Sequence, residues 1–423
     1  MHLYLDHLRS FSREARLFLV ALTVFAFATS VPSLFFYLYL QALGFDRTFI
    51  GLTATASQLG GVIFSIPAAG LLDLLGRRRA MLIGAASSIL CIAASLLITD
   101  ATLMIVAQVV SGCGTVLYAL AVVPLLAEVS TPYERTALFS TTESLTTLAL
   151  FFGSLLAGTL PTLVAPLIDA GPESALAYRV VMLGSLVLRM TGLLPLALIH
   201  DHATAQPASA PRRSTLSYFD PRVLLRLQTP IWVMALPILT CYLAGSLIFP
   251  FLNIYLKQRF NASDVSIGAV MGLINLCIGI STLLGPLAAQ KFGRVRVAIY
   301  GTLLSAACLL LVTLSNAFLV VAVVIIARAG LFNMTLPLYR AYVIDHTPPH
   351  EYTIVNLIYA TSANVGPTIA PPVSGYVQDR AGFGPLFAAA IALYGLAGGL
   401  FYWAGKQKSG NQGEVSTGTM EQA

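Results

Sequence analysis

Long apolar runs alternate with short polar breaks along the whole chain. Reading each run between charged or turn-rich positions predicts twelve helices, near residues 16–40, 48–72, 79–99, 101–127, 137–165, 178–199, 230–256, 265–289, 297–315, 317–344, 353–378 and 384–404. The runs are about 20 residues or more, roughly what a helix rising about 1.5 Å per residue needs to cross about 30 Å of hydrocarbon. Alternating segments of about ten residues, the mark of an outer-membrane barrel, do not occur. The pattern predicts an all-α integral membrane protein with twelve transmembrane helices.

Composition strengthens this reading. With 57% hydrophobic residues, 10% charged and a mean hydropathy of +0.82, the chain has too little polar surface for soluble domains. A net charge of +6 raises the question of nucleic acid, but the basic residues sit in short breaks between spans rather than on one face of a soluble domain. Arg9, Arg13, Arg16, Arg77, Arg78, Arg79, Arg135, Arg212, Arg213, Arg222, Arg226, Lys291, Arg294, Arg296, Lys406 and Lys408 fall on one side. Only Arg47, Arg179, Lys257, Arg259 and Arg380 fall on the other. Positive charge stays inside, so both termini are expected in the cytoplasm, in a cell membrane of the bacterial inner-membrane kind, with no nucleic-acid partner. All five cysteines (Cys91, Cys113, Cys241, Cys277, Cys308) lie in apolar spans without metal-ligand or paired spacing. They read as core residues, and no metal centre is expected.

The breaks also divide the chain. Residues 1–15 are too charged for a cleavable signal peptide. Tyr4, Leu8, Phe11 and Ala15 recur opposite Arg9, Arg13 and Arg16, as in a short amphipathic helix on the inner leaflet. Residues 200–229, containing "HDHATAQPASAPRRSTLSYFDPR", read as a cytoplasmic linker between bundles at 16–199 and 230–405. The tail 406–423 is polar and rich in small residues, and disorder is expected there.

The two halves resemble each other at a single offset of 217 residues. It relates Gly51 to Gly268, Gln58 to Asn275, Gly76 to Gly293, Arg77 to Arg294, Arg79 to Arg296, Glu128 to Asp345, Pro132 to Pro349, Glu134 to Glu351 and Gly158 to Gly375. Chance matches among apolar spans would be leucines and alanines. Polar matches at loop positions need a duplicated six-helix unit. Two such halves, rocking about a midplane site, are the architecture of alternating-access transporters.

The segment "GLLDLLGRRRA" (residues 70–80) lies where the second span ends. A carboxylate at the position of Asp73 is stable only beside donors or cations such as Arg77 and Arg78. Glu128 offers those arginines a second acidic partner, and Asp345 stands opposite Arg294 and Arg296. These residues read as ion pairs across cytoplasmic helix ends; the plainer alternative is that the arginines only fix topology. Glu134, Arg135 and Glu351 follow proline turns and read as helix starts.

The same segment resembles the signature of the major facilitator superfamily, roughly G-x-L-x-D-R-x-G-R-R. Asp73, Gly76, Arg77 and Arg78 match, while Ala69 replaces the first glycine and Leu74 the basic residue after the aspartate. The copy "PLAAQKFGRVR" keeps Gly293 and Arg294 with Gln290 at the aspartate position. The resemblance implies two pseudo-symmetric six-helix bundles around a small-molecule substrate and ion pairs that hold the cytoplasmic side shut; a monomer without cofactor is expected. It also implies that the first, fourth, seventh and tenth spans line the cavity. With Asp73 in one copy and Gln290 in the other, the first half is expected to carry the stronger lock.

Ionisable residues at membrane depth are costly and are functional candidates by default. Glu143 in the fifth span is the candidate for proton coupling, with a permanent pairing to Arg189 as the rival reading. Arg328 in the tenth span, with Asn333 further along, is the leading substrate-contacting candidate. Arg340, near the cytoplasmic end, can snorkel and reads as structural. Gln58, Asn275, Gln108, Tyr37, Tyr118, Tyr242, Tyr339 and Asn364 are further candidates for hydrogen bonding. "GSLLAG" (residues 153–158), with "APPVSG" as its repeat, resembles the fifth-span motif of the family's exporters without its proline, and small residues there also suit close helix approach.

An intramembrane protease would need paired aspartates, a serine–histidine or serine–lysine arrangement, or His-Glu-x-x-His, and none is present. No phosphate-binding loop points to ATP. No catalytic residue is assigned. The expected function is secondary active transport, driven by a proton or ion gradient, with antiport efflux of an amphiphilic or drug-like compound. Transport of a sugar or organic anion is the alternative.

Overall fold

The computed structural model describes residues 11–131, 134–200, 231–345, 347–348 and 351–418. The stretch 1–10, the linker from 201 to 229, Pro132 and Pro349 lie outside the described residues. Among the described residues twelve long helical segments follow one another. They are α1 (Arg13–Ala42), α2 (Arg47–Leu75), α3 (Arg77–Leu97), α4 (Ala101–Glu128), α5 (Arg135–Val164) and α6 (Ala175–Thr191), then α7a (Ile231–Ser246) with α7b (Leu252–Phe260), α8 (Asp264–Phe292), α9 (Arg294–Leu314), α10 (Phe318–Asp345), α11 (Tyr352–Ala381) and α12 (Gly384–Gly418). Among the described residues eleven segments are long and apolar enough to cross a membrane. The twelfth, α11, is 30 residues long and more polar. The last helix runs to Gly418, into the segment read from sequence as a disordered tail, while its apolar part ends at Lys406.

Side chains that accept from otherwise orphaned backbone N–H groups start several helices. Ser12 Oγ accepts from Ala15 N at 3.1 Å, Asp46 Oδ1 from Phe49 N at 2.8 Å, Asp100 Oδ1 from Leu103 N at 2.9 Å and Ser174 Oγ from Ala177 N at 3.1 Å. The seventh span breaks into two pieces around the 3₁₀ turn Phe249–Phe251, where Pro250 has no N–H to donate.

The internal repeat is visible in the backbone. Moving 217 residues along the chain carries both bounds of α2 onto those of α8, α3 onto α9, α4 onto α10 and α5 onto α11. The turns match as well: Gly76 at φ 80° and Gly293 at φ 83° adopt a conformation that side chains with a Cβ rarely reach.

Contacts group the chain into two compact units. One holds α1 to α6 with α7b and the first part of α8, and the other holds α7a, the rest of α8 and α9 to α12. The linker is thus not the only place where the grouping changes, since α7 and α8 are each shared. Glycine explains part of this: a Cβ on Gly158 of α5 would lie 2.6 Å from the Asp264 carbonyl oxygen, and one on Gly268 of α8 would lie 2.6 Å from the Ser154 carbonyl oxygen. These two helices meet backbone to backbone. Asn253 of α7b adds a hydrogen bond, donating Nδ2 to the Leu34 carbonyl of α1 at 2.8 Å.

Within the first unit α1 packs on α5 and α6, and α4 on α2 and α3; within the second α7a packs on α11 and α12, and α9 on α10 and α12. An apolar cluster including Phe11, Phe18, Leu22, Met81, Leu125 and Leu138 gathers α1, α3, α4 and α5. Tyr339 against Phe401, with ring centroids 4.4 Å apart, ties α10 to α12.

Candidate functional site

The glycine turns place the arginine pairs. Arg77 Nη1 donates to Glu128 Oε1, and Arg294 Nη1 donates to Asp345 Oδ2. The two pairs are related by the 217-residue repeat, and each joins helices of one half: α3 to α4, and α9 to α10. Arg78 donates to the Ala197 carbonyl. Asp73 is exposed at the end of α2, and Arg296 is exposed in the first turn of α9. The first-half pair is the more sheltered, with side chains 35% and 19% exposed against 44% and 54% in the second half.

A cavity of about 610 Å³ opens in the second unit, lined by Tyr242, Thr282, Asn333, Leu336, Pro337, Arg340, Ala341, Ile344, Asp345 and Tyr359. Asn333, Leu336, Pro337, Arg340, Ala341 and Ile344 follow the spacing of one helical stripe, so a single face of α10 forms one wall. Tyr242 comes from α7a, Thr282 from α8 and Tyr359 from α11. Arg340 Nη2 donates to Asn356 Oδ1 at 2.6 Å, and its guanidinium lies 5.6 Å over the Tyr359 ring. Among the described residues no carboxylate pairs with Arg340, whereas the one acidic residue in the lining, Asp345, is taken up by Arg294. Beside the Arg294–Asp345 pair, the lining therefore presents a cation, an amide and two phenols. Arg340, read from sequence as structural, is the charged group of this wall. The signal was available, since it lies seven residues from Asn333, two turns along the same face.

Arg328 occupies the other side of α10. It is 2% exposed, donates Nη2 to the Tyr394 hydroxyl, and lies 5.2 Å from the Tyr394 ring centroid, 5.5 Å from Phe249 and 5.7 Å from Phe332. Among the described residues its Nε has no hydrogen-bond partner. Arg328 and Asn333 were grouped by depth, yet five residues at about 100° each put them about 140° apart around the helix. The cavity wall holds Asn333 and not Arg328.

In the first unit Arg189 is 8% exposed and lies 5.3 Å over the Phe25 ring, which stacks on Tyr118 at 5.2 Å. No ion pair joins it to Glu143 among the described residues, so the permanent pairing is absent from this structure. Glu143 is exposed on α5, on a polar stripe with Thr136, Ser140, Ser144 and Thr147. Thr147 of that stripe faces α8, because a Cβ on Gly279 would lie 2.6 Å from Thr147 Cγ2.

The other candidates are dispersed. Gln108 is buried and donates Nε2 to Ser95 Oγ at 3.3 Å, a bond between α4 and α3. Asn364 Nδ2 donates to its own helix at Ala360 O, 2.8 Å away, and Asn333 Nδ2 to Ala329 O at 2.9 Å. Gln58, Asn275 and Tyr37 are half-buried, on α2, α8 and α1. Tyr242 meets Phe332 edge-on at 6.2 Å. Among the described residues no group of three His, Cys, Asp or Glu side chains could hold a metal ion.

Solved structures share this architecture. The nucleoside transporter NupG superposes with a TM-score of 0.72 at 12% identity, covering 93% of this chain and 98% of that one. A D-xylose–proton symporter gives 0.69 at 14% identity, covering 92% and 97%. A bacterial homologue of the iron transporter ferroportin, in an inward-facing state, gives 0.71 at 15% identity, covering 93% and 98%. No curated protein matches the chain in sequence. The sequence profile of the Major Facilitator Superfamily matches residues 17–246 and again 234–419, one match to each half of the repeat, and the chain belongs to this superfamily of multi-pass membrane transporters.

Proposed function

We propose that the protein is a proton-coupled secondary transporter of a small amphiphilic organic anion, working by alternating access in a cell membrane with both termini in the cytoplasm. The observation that carries this reading is the α10 wall of the cavity. Arg340 brings a guanidinium whose partners among the described residues are neutral, Asn356 and the face of Tyr359. A carboxylate or sulfonate can take its remaining donors as charge-assisted hydrogen bonds. Tyr242, Tyr359, Leu336 and Ile344 offer apolar and aromatic surface to the rest of such a molecule.

Glu143 supplies the proton site in this proposal. It is exposed on the polar stripe of α5 and has no ion-pair partner among the described residues. Gly153 and Gly158 of "GSLLAG" stand at tight helix contacts, where close approach alone requires small residues.

Binding to purified protein in nanodiscs, followed by calorimetry, tests the charge requirement with p-toluenesulfonate and its neutral analogue p-toluenesulfonamide. The sulfonate should bind more tightly, and Arg340→Ala should weaken it about 10- to 100-fold, the size of a charged hydrogen bond worth about 1.5–3 kcal/mol. Equal binding of the two probes, or unchanged sulfonate affinity in a folded Arg340→Ala protein, would remove the anion from the proposal.

A further inference from the structure

The end of the first unit away from Gly76 and Arg77 contains a charge cluster that the cavity and Glu143 leave unused. Asp264, the first residue of α8, is 4% exposed. Its Oδ1 accepts from Lys257 Nζ of α7b at 2.7 Å. The Tyr178 hydroxyl of α6 faces both carboxylate oxygens, at 3.2 and 3.0 Å. Lys257 also donates to the Tyr178 oxygen at 2.6 Å and lies 3.1 Å from Glu173, just before α6. Tyr178, itself 1% exposed, stacks on Phe35 of α1 with centroids 5.0 Å apart. The titratable groups facing Asp264 are therefore Lys257 from α7b, and Tyr178 and Glu173 from α6 and its approach. From α5 comes Gly158, packed on the Asp264 backbone.

One ammonium thus serves two carboxylates in unlike surroundings. The Asp264 side chain is 3% exposed and that of Glu173 59%. While Asp264 is ionised, Lys257 and Tyr178 satisfy it, and the three groups tie α7b and α8 to α6 through a buried network. A buried ion pair of this kind resists separation, because losing one charge leaves the other unpaired. A surface pair such as Lys257 with Glu173 holds far less firmly. Glu173 gives Lys257 somewhere to go.

We propose that Asp264 is a proton-binding site that locks this face of the protein. Ionised, it fastens α7b and the start of α8 to α6. Protonated, it releases Lys257 to Glu173, and α7b with the start of α8 swings away from α6. The proton comes from the aqueous phase on that face and returns to it when the lock closes. Charge distribution makes this the outer face, so external acid opens it. The lock does not depend on Glu143 or on any substrate.

The test is a distance measurement by double electron–electron resonance in nanodiscs. Spin labels go on Leu167→Cys and Val265→Cys, both exposed in the closed arrangement at 84% and 42%, with the parent chain as control for native cysteines. At about pH 8 one short distance is expected, and at about pH 5 a longer population should rise several-fold. Asp264→Asn should show the longer population at both. Two milder variants protect the test if that protein does not fold. Tyr178→Phe removes a donor from the carboxylate and should move the opening midpoint to higher pH. Glu173→Gln removes the alternative acceptor for Lys257 and should move it to lower pH. Distances that ignore pH, an Asp264→Asn protein with the wild-type response, or midpoints that do not move in these opposite directions would overturn the proposal.

Discussion

A guanidinium inside a bilayer is costly unless its charge is met, and the two arginines of α10 meet that condition in different ways. Arg328 uses three aromatic rings and one hydroxyl, each ring contributing an attraction of about 2 kcal/mol when dry. Arg340 uses a neutral amide and one ring at the edge of a cavity. Tyr394→Phe keeps the ring and removes the hydroxyl, so chemical unfolding should show a loss of about 1–3 kcal/mol, with sulfonate affinity unchanged. Unaltered stability would mean that the hydroxyl does not serve Arg328. Arg340→Ala should behave conversely, losing affinity and little stability. Both arginines were recognisable in the sequence as charges at membrane depth. What depth could not reveal was the face: Asn333 aligns with Arg340 and not with Arg328, which follows from helical geometry once the cavity side of α10 is known. Lys257, which the sequence shows only as an outer-side charge, and Asp264 were not legible as a pair for a related reason. Each sits at a span end, where a charge ordinarily meets water, and only folding buries them with Tyr178.

At the scale of helices, the repeat was legible because polar residues at turns cannot match by chance. The structure extends it to the bounds of α2 to α5 and their partners, and to the paired arginines. The Arg77–Glu128 pair is the more sheltered of the two. Glu128→Gln should therefore destabilise by about 1–2 kcal/mol, whereas Asp345→Asn, in an exposed pair, should change unfolding free energy by less than about 1 kcal/mol. Equal effects would contradict the ranking. The division of α7 and α8 between units was not legible, because it depends on which glycines of distant spans meet. Gly268→Leu tests that contact. With the Ser154 carbonyl in the way, it should cost about 1–3 kcal/mol of overpacking and slow transport about tenfold, and an unchanged rate would show that α5 and α8 need not approach so closely.

For the whole molecule, apolar runs of spanning length and the duplicated half were enough to give the class of fold, since a bilayer leaves helices few alternatives. Superfamily membership makes the chain a transporter. The cavity is lined by side chains from α7a, α8, α10 and α11 that converge only in three dimensions. In the proposed cycle an anion taken up beside Arg340 moves together with a proton exchanged at Glu143. Proteoliposomes loaded with a pH-sensitive dye test it most directly. Adding p-toluenesulfonate to one side should change the lumenal pH in wild-type vesicles, and Glu143→Gln should abolish that change while leaving sulfonate counterflow intact. Sulfonate movement without any lumenal pH change, or a pH change that persists in Glu143→Gln, would contradict the account.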